Sequence, residues 1–165
     1  MPVRIPSSPQ IADLFARYRT PAPVIAHGEA VALCALELAT QISHSVDTAL
    51  LEAACRLHDI ARMQPAHACA GADILVREGF PDVGAIVALH HDLPENASTE
   101  ATLLYLADKL VQGTERVSLE PRFAASREKC RTPEALAAWQ RRRDRTDRAV
   151  RDLSLILPES EVPHE

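Results

Sequence analysis

Along most of the chain, apolar residues recur at the three- and four-residue spacings typical of amphipathic α-helices. The first such segment spans residues 9–18 and places Ile11, Leu14 and Phe15 on one face, with Ser8 as the expected N-cap. Further segments predict helices over residues 24–42, 48–60, 65–78, 82–91 and 99–112, one beginning at 121 and one over 133–157. No segment shows the two-residue alternation typical of a half-buried strand. The sequence therefore predicts an all-α protein, a helical bundle of about seven to eight helices.

Length and composition indicate one ordinary globular domain. The 165 residues suit a single domain over 1–165, and a chain of this size buries enough surface to fold without disulfides. Hydrophobic residues make up 47% and charged residues 25%, which excludes a disordered or fibrous protein. The cysteines show no C-x-x-C spacing, which argues against a zinc ribbon or a disulfide framework and favours a reducing compartment. We interpret all four as small core residues: Cys34, Cys55, Cys69 and Cys130.

The charge balance argues against nucleic acid as a partner. The chain has 18 Lys and Arg against 23 Asp and Glu, a net charge of -5, so no basic footprint is visible. The N-terminal segment lacks the apolar core of a signal peptide, and we expect no apolar stretch of the roughly 18 residues that cross a membrane. These observations favour a cytoplasmic protein whose partner is a small molecule.

The positions of the histidines give the first indication of a functional site. Six of the seven lie between positions 27 and 91, and four of them fall on the apolar stripes of predicted helices: His27, His58, His67 and His90. Each ring nitrogen that is buried without a partner costs about 1–3 kcal/mol, so four imidazoles that converge in a core need a shared partner. A metal ion meets that need, because each neutral imidazole gives it one lone pair and keeps an N–H for a second hydrogen bond. His44 and His164 lie outside these stripes and are expected in solvent.

Two aspartates join the histidines. Asp59 directly follows His58, and Asp108 lies between apolar residues of a predicted helix, where a charged carboxylate needs a cation. Each residue taken alone is often a hydrogen-bonded core histidine or a capping aspartate, but the combination favours a metal site. Imidazole and carboxylate ligands suit Fe, Mn, Ni, Co, Zn or Mg. Six protein ligands exceed the needs of one tetrahedral zinc ion, so we expect one or two divalent ions.

The order of these residues resembles a known family. His27, then His58-Asp59, then Asp108 are similar to the H…HD…D signature of the HD-domain metal-dependent phosphohydrolases, an all-helical superfamily. The segments AACRLHDIAR at 53–62 and LLYLADKL at 103–110 resemble two of its ligand helices, and HACAGADIL from His67 resembles a third block. With His90, the pattern is similar to dinuclear members such as the HD-class diadenosine tetraphosphate hydrolases. The resemblance covers an HD core of about residues 20–115, and a C-terminal helical extension follows over about 121–157.

The resemblance implies the reaction and the roles of several residues. It implies hydrolysis of a phosphate ester or anhydride, in a nucleotide or another small phosphorylated metabolite, by a metal-activated water. Asp59 is then a ligand that bridges two ions, and Arg62 and Lys109 are candidates for phosphate contacts. Arg62 replaces the lysine of the family's HDIGK motif and keeps its charge. His91 is a candidate for a phosphate contact or for protonating the leaving group.

Several alternatives stay open from the sequence. His90 is favoured over His91 as the ligand because it continues an apolar stripe. The same ligands would suit an HD-superfamily di-iron oxygenase or a metal- or nucleotide-binding regulatory module without turnover, and a plain helical interaction protein is a further possibility. The segment 141–152 contains six arginines and three aspartates. It predicts a solvated helix face with internal ion pairs, although it could also reach a polyanionic substrate or support a homo-oligomer.

Overall fold

A computed structural model describes residues 2–158, so His164 lies outside the described part of the chain. Within it are eight α-helices and one small hairpin. They are α1 (Ser8–Arg17), α2 (Ala22–Ala39), α3 (Thr48–Leu57), α4 (His67–Arg77), α5 (Pro81–Val87), α6 (Thr99–Lys109), β1 (Val111–Gln112), β2 (Glu115–Arg116), α7 (Leu119–Arg127) and α8 (Pro133–Asp152). The predicted all-α bundle is confirmed.

Helix α6 lies at the centre of the bundle. All of its residues from Ala101 to Ala107 are buried, as expected for a helix with neighbours on every side. Helices α2 and α3 pack on it and on each other, and α5 packs on α3, α4 and α6. The largest fully buried side chain is Tyr105, in the middle of α6. This arrangement fixes the ends of five helices close to one another.

The hairpin corrects the sequence-based expectation that α6 continues to residue 112. Helix α6 ends at Lys109, after which Val111 pairs with Arg116 and Gln112 with Glu115. Gly113 begins the two-residue turn with a φ of 60°, a backbone conformation that glycine adopts without strain. Two-residue strands are too short to show an alternating pattern, so the expectation of helices alone was wrong here.

Helix boundaries also differ from the prediction. Ser7, not Ser8, caps α1, because its hydroxyl accepts the Gln10 N–H while the Gln10 side chain accepts the Ser7 N–H. Helix α4 begins at His67 rather than at 65, after Ala66 in a left-handed conformation with a φ of 50°. The C-terminal extension begins at Leu119, before residue 121. Its last helix ends at Asp152 rather than at 157.

Helix α2 is more apolar than we expected. Its 18 residues have a mean hydropathy of 1.4, so by length and composition alone it could cross a membrane. The chain therefore does contain one stretch of that kind. One such helix is weak evidence for a membrane span, because core helices pass the same test. Here 33% of the helix is buried in the bundle, including Val31, Cys34 and Ala35, so packing accounts for part of its apolar character.

Burial corrects two further expectations. Cys34 and Cys55 are buried as predicted, but Cys69 is exposed and Cys130 is only partly covered, so the four cysteines are not all core residues. The arginine-rich face of α8 is not fully solvated either. Arg145 is only 8% exposed and donates hydrogen bonds to the carbonyls of Leu93 and Pro94, at 3.2 and 3.0 Å.

Two glycines let helices pack closely, and they predict opposite effects of adding a methyl group. A Cβ at Gly28 would lie 2.6 Å from the Arg56 carbonyl oxygen, which is backbone and cannot move aside. At Gly71 the nearest atom would be the Ile60 Cγ2 at 3.4 Å, an ordinary contact. We expect Gly28→Ala to reduce the free energy of unfolding by about 1–3 kcal/mol. Gly71→Ala should leave it unchanged or raise it by up to about 1 kcal/mol, because alanine favours the helix.

Urea unfolding of the two variants and the parent protein measures this difference. Unchanged stability of Gly28→Ala would show that the α2–α3 contact is not as close as described.

Candidate metal centre

The predicted site residues lie at the ends of helices. His27 lies in the second turn of α2, His67 is the first residue of α4, and Asp108 is in the last turn of α6. His58 is the C-cap of α3, and His90 lies two residues beyond the C-cap of α5. The expectation that His58 and His90 lie inside helices was wrong, because both helices end just before these residues.

Backbone carbonyls orient three of the imidazoles. The Nδ1 atoms of His27, His58 and His90 lie 2.7 Å from the carbonyl oxygens of Gly113, Cys55 and Val87, respectively. A carbonyl only accepts hydrogen bonds, so each Nδ1 carries the proton and donates it. In the neutral ring, the lone pair is then on Nε2. Gly113 was not recognised from the sequence as part of the site, although its position after an apolar segment marked the end of α6.

The two aspartates lie among the Nε2 atoms. Asp108 Oδ1 is 3.0 Å from the Nε2 of His27 and 3.3 Å from that of His58. Asp59 Oδ1 is 3.2 Å from the Nε2 of His67 and 3.5 Å from that of His90. The second Asp59 oxygen, Oδ2, faces His58 Nε2 at 3.6 Å. Asp59 therefore has Oδ1 toward His67 and His90, and Oδ2 toward His58.

Unsatisfied nitrogens show that the cluster suits a metal ion. The Nε2 atoms of His58 and His90 are buried and have no hydrogen-bond partner among residues 2–158, since the nearby carboxylate contacts lack hydrogen-bond geometry. Such orphaned groups are rare in native proteins and call for a bound ion or water. Three sets of potential ligand atoms lie within 4.8 Å of one another: His27, His58 and Asp108; His58, Asp59 and His90; and His67, His90 and His91.

His91 belongs to the same neighbourhood as His90. The His91 ring centroid lies 4.2 Å from that of His90 and 4.5 Å from that of His67, and His91 is exposed where His90 is buried. Desolvation and the adjacent imidazoles lower the pKa of His91 to about 4. The structure thus brings both residues of the pair to the cluster, with His90 inside it and His91 at its edge.

The two predicted phosphate contacts also lie beside the cluster. The exposed Arg62 approaches His67 Nε2 with its Nη1 at 3.3 Å. Lys109 is half-buried, with its Nζ 3.5 Å from the centroid of the Tyr105 ring. Burial is the main cause that lowers the pKa of Lys109 to about 8; Asp108 opposes the shift, and Arg122 and Arg142 contribute to it.

A cleft of about 680 Å³ opens over the cluster. His27, Asp59, His91 and Asp108 line one part of it, together with Arg62 and Lys109. The remainder is lined mainly by residues of the C-terminal extension: Arg122, Phe123, Ser126, Lys129, Trp139 and Arg142. Of these, only Arg142 belongs to the segment 141–152, for which the sequence left a substrate contact open. Only the tertiary packing brings these residues to the cleft.

Comparison with known proteins agrees with this geometry. A family model described as HD domain matches residues 24–112, just over half of the chain. The chain belongs to the HD-domain family. The matched span contains every histidine and aspartate of the cluster and ends before α7, and the family resemblance is thereby confirmed. HD domains bind divalent metals and are in general metal-dependent hydrolases. No curated protein and no solved structure matches the chain.

We predict that metal binding releases a proton. Burial lowers the pKa of His58, but the Asp108 and Asp59 carboxylates outweigh that effect and raise the pKa from 6.5 to about 9. In the metal-free protein, His58 is therefore charged at pH 7.5. This proton contributes stability that is fully present below pH 6.5 and is lost as the pH rises through about 9. A metal ion must displace it.

Isothermal titration calorimetry in two buffers of different ionisation enthalpy measures the protons released. We expect roughly one proton per chain from His58 at pH 7.5 and fewer above pH 9. The exposed His44, whose Nε2 hydrogen bonds to the Thr99 hydroxyl, offers a control: His44→Asn should leave the release unchanged, whereas His58→Asn should reduce it by about one proton. Metal binding without proton release at pH 7.5 would contradict this assignment.

Proposed function

We propose that this protein is a metal-dependent phosphohydrolase that cleaves a phosphate ester or anhydride of a nucleotide or another small phosphorylated metabolite. The observation that supports the proposal is one cleft in which a cluster of imidazoles and carboxylates adjoins cationic side chains. Such a cluster provides ligands for cations, and the cationic side chains suit the charged oxygens of a phosphate group.

The donor sets suggest how two ions would be held. His27, His58 and Asp108 would bind one, and His67 and His90 would bind the other. Asp59 would contribute one oxygen to each, because its two oxygens face different halves of the cluster. Divalent ions in such a site lower the pKa of water and neutralise charge that develops on phosphoryl oxygens.

Other side chains of the cleft would act on the substrate directly. Arg62 would bind phosphoryl oxygens through its planar guanidinium, which offers two parallel N–H donors. Lys109 lies beside Asp108 and would add a second positive charge next to the cluster. His91 is exposed and lines the cleft, so its ring can reach a bound substrate and hydrogen bond to the leaving-group oxygen. None of these roles needs a side-chain nucleophile.

We also propose a cytoplasmic location and a small phosphorylated molecule, rather than nucleic acid or a membrane, as the partner. All four cysteines lie in the described part of the chain and are free thiols, which suits a reducing compartment. The net charge of -5 disfavours a nucleic-acid surface.

The test combines metal analysis with activity. Protein purified without chelators should contain two ions per chain. It should release phosphate from nucleotides or model esters with at least one of Mn, Fe, Co, Ni or Mg, and the release should continue without oxygen. We expect Asp59→Asn to lower the rate by about 100-fold or more, since even residues that only support metal ligands cost 10–100-fold. His44→Asn should retain full activity.

Other results would select the alternatives. Turnover that requires oxygen would indicate the oxygenase reaction, and bound metal without turnover would indicate a regulatory module. One ion per chain would contradict the dinuclear arrangement while leaving a mononuclear site of His27, His58, Asp59 and Asp108.

A further inference from the structure

The cleft over the metal cluster continues into the C-terminal helices, beyond the matched HD domain. Arg122 comes from α7, Lys129 from the turn after it, and Arg142 from the middle of α8. Together with Arg62 and Lys109, they make five cationic side chains in one cleft. No carboxylate of residues 2–158 lies within the 4.0 Å ion-pair distance of any of the five.

Five arginines outside the cleft have carboxylate partners, whereas eight others lie within 4.0 Å of no carboxylate of residues 2–158. The pairs are Arg17–Glu78, Arg56–Glu29, Arg116–Glu37, Arg143–Glu120, Arg143–Asp147 and Arg148–Glu95. The chain as a whole carries an excess of acidic residues, so unpaired cations are not forced by its composition. Like charges gathered in a cleft repel one another and attract anions from solution. The gathering of five cationic side chains in one cleft, rather than their lack of ion pairs, therefore indicates an anionic ligand.

The far part of the cleft has a defined shape. The Trp139 indole donates from Nε1 to the Phe123 carbonyl and the Ser126 hydroxyl, both at 3.0 Å, which fixes the ring. Phe123 packs edge-to-face on this ring, with 5.9 Å between the two ring centroids. Arg122 Nη1 donates to the Val111 carbonyl at 3.2 Å and retains its other N–H groups for a ligand.

We propose that Arg122, Lys129 and Arg142 form a second anion subsite beside Trp139, which binds a phosphate group of the substrate at a distance from the phosphate that is cleaved. The preferred substrates are then molecules with a chain of phosphates, such as nucleoside oligophosphates, rather than simple monophosphates. The cleft of about 680 Å³ is large enough for a ligand of that size. The proposal that an anion binds here depends only on the residues of the cleft, whereas the proposal that this anion is part of the substrate rests on the proposed function.

Calorimetric titration of the full chain with inorganic tripolyphosphate and with orthophosphate, in excess Mg²⁺, tests the subsite. We expect tripolyphosphate to bind at least about tenfold more tightly, because it can occupy both parts of the cleft. The double variant Lys129→Gln/Arg142→Gln should lose about tenfold or more of that affinity and keep its affinity for orthophosphate. Arg141→Gln is the matched control on the same helix: Arg141 is exposed and does not line the cleft, so affinity should change less than about twofold.

Quenching of Trp139, the single tryptophan, gives a second readout of occupancy at this end of the cleft. Equal affinity for the two probes, or equal effects of the double variant and Arg141→Gln, would overturn the subsite whether or not the protein hydrolyses phosphates. Specific binding of tripolyphosphate without phosphate release from any substrate would leave the subsite in place and refute the proposed hydrolase activity. The two proposals therefore fail separately.

Discussion

The hydrogen bond from an imidazole Nδ1–H to a backbone carbonyl is the interaction on which the site depends. In His58 and His90 the acceptor is the carbonyl three residues earlier in the chain. Cys55 and Val87 lie in the last turns of α3 and α5, where carbonyls lack a regular i+4 N–H partner and side-chain donors can satisfy them. These histidines therefore belong at C-terminal ends of α3 and α5, and the bundle must bring those ends together. The hydrogen bond also fixes which nitrogen is left for the cluster.

Close helix packing beside these residues brings the rings together. Gly28 follows His27, and its lack of a side chain lets α2 approach the Arg56 carbonyl, two residues before His58. The His27 and His58 ring centroids are consequently 5.3 Å apart. Without this approach, Asp108 could not contact both Nε2 atoms. The same small residue that permits the packing thus determines part of the site's geometry.

The sequence predicted the members of the cluster better than their local structure. Helical periodicity and motif order pointed to His27, His58, His67, His90 and both aspartates, and the structure brings them together. Periodicity does not show where a helix ends, however, so it missed that His58 and His90 follow helix ends. It missed the hairpin as well, because the carbonyl of Gly113 reaches His27 only through a turn between two-residue strands.

The sequence left open whether the arginines of α8 reach a substrate and could not show which of them does, because neighbouring arginines of this helix have different surroundings. Successive residues of a helix point about 100° apart, so nearby positions meet different neighbours. Arg142 lines the cleft, Arg143 pairs with Glu120 and Asp147, and Arg145 is buried. From the sequence, all three belong to one segment that predicts a solvated helix face.

Arg145 attaches helix α8, which carries Arg142, to a loop beside the metal cluster. Its guanidinium donates to the carbonyls of Leu93 and Pro94, in the loop directly after His90 and His91. Buried hydrogen bonds from a charged donor are costly to break, so they hold α8 against this loop. The Tyr105 hydroxyl adds a second attachment, to the Arg142 carbonyl at 3.2 Å. The helix that carries Arg142 and Trp139 is thus hydrogen-bonded to α6, which carries Asp108, and to the loop that follows His90.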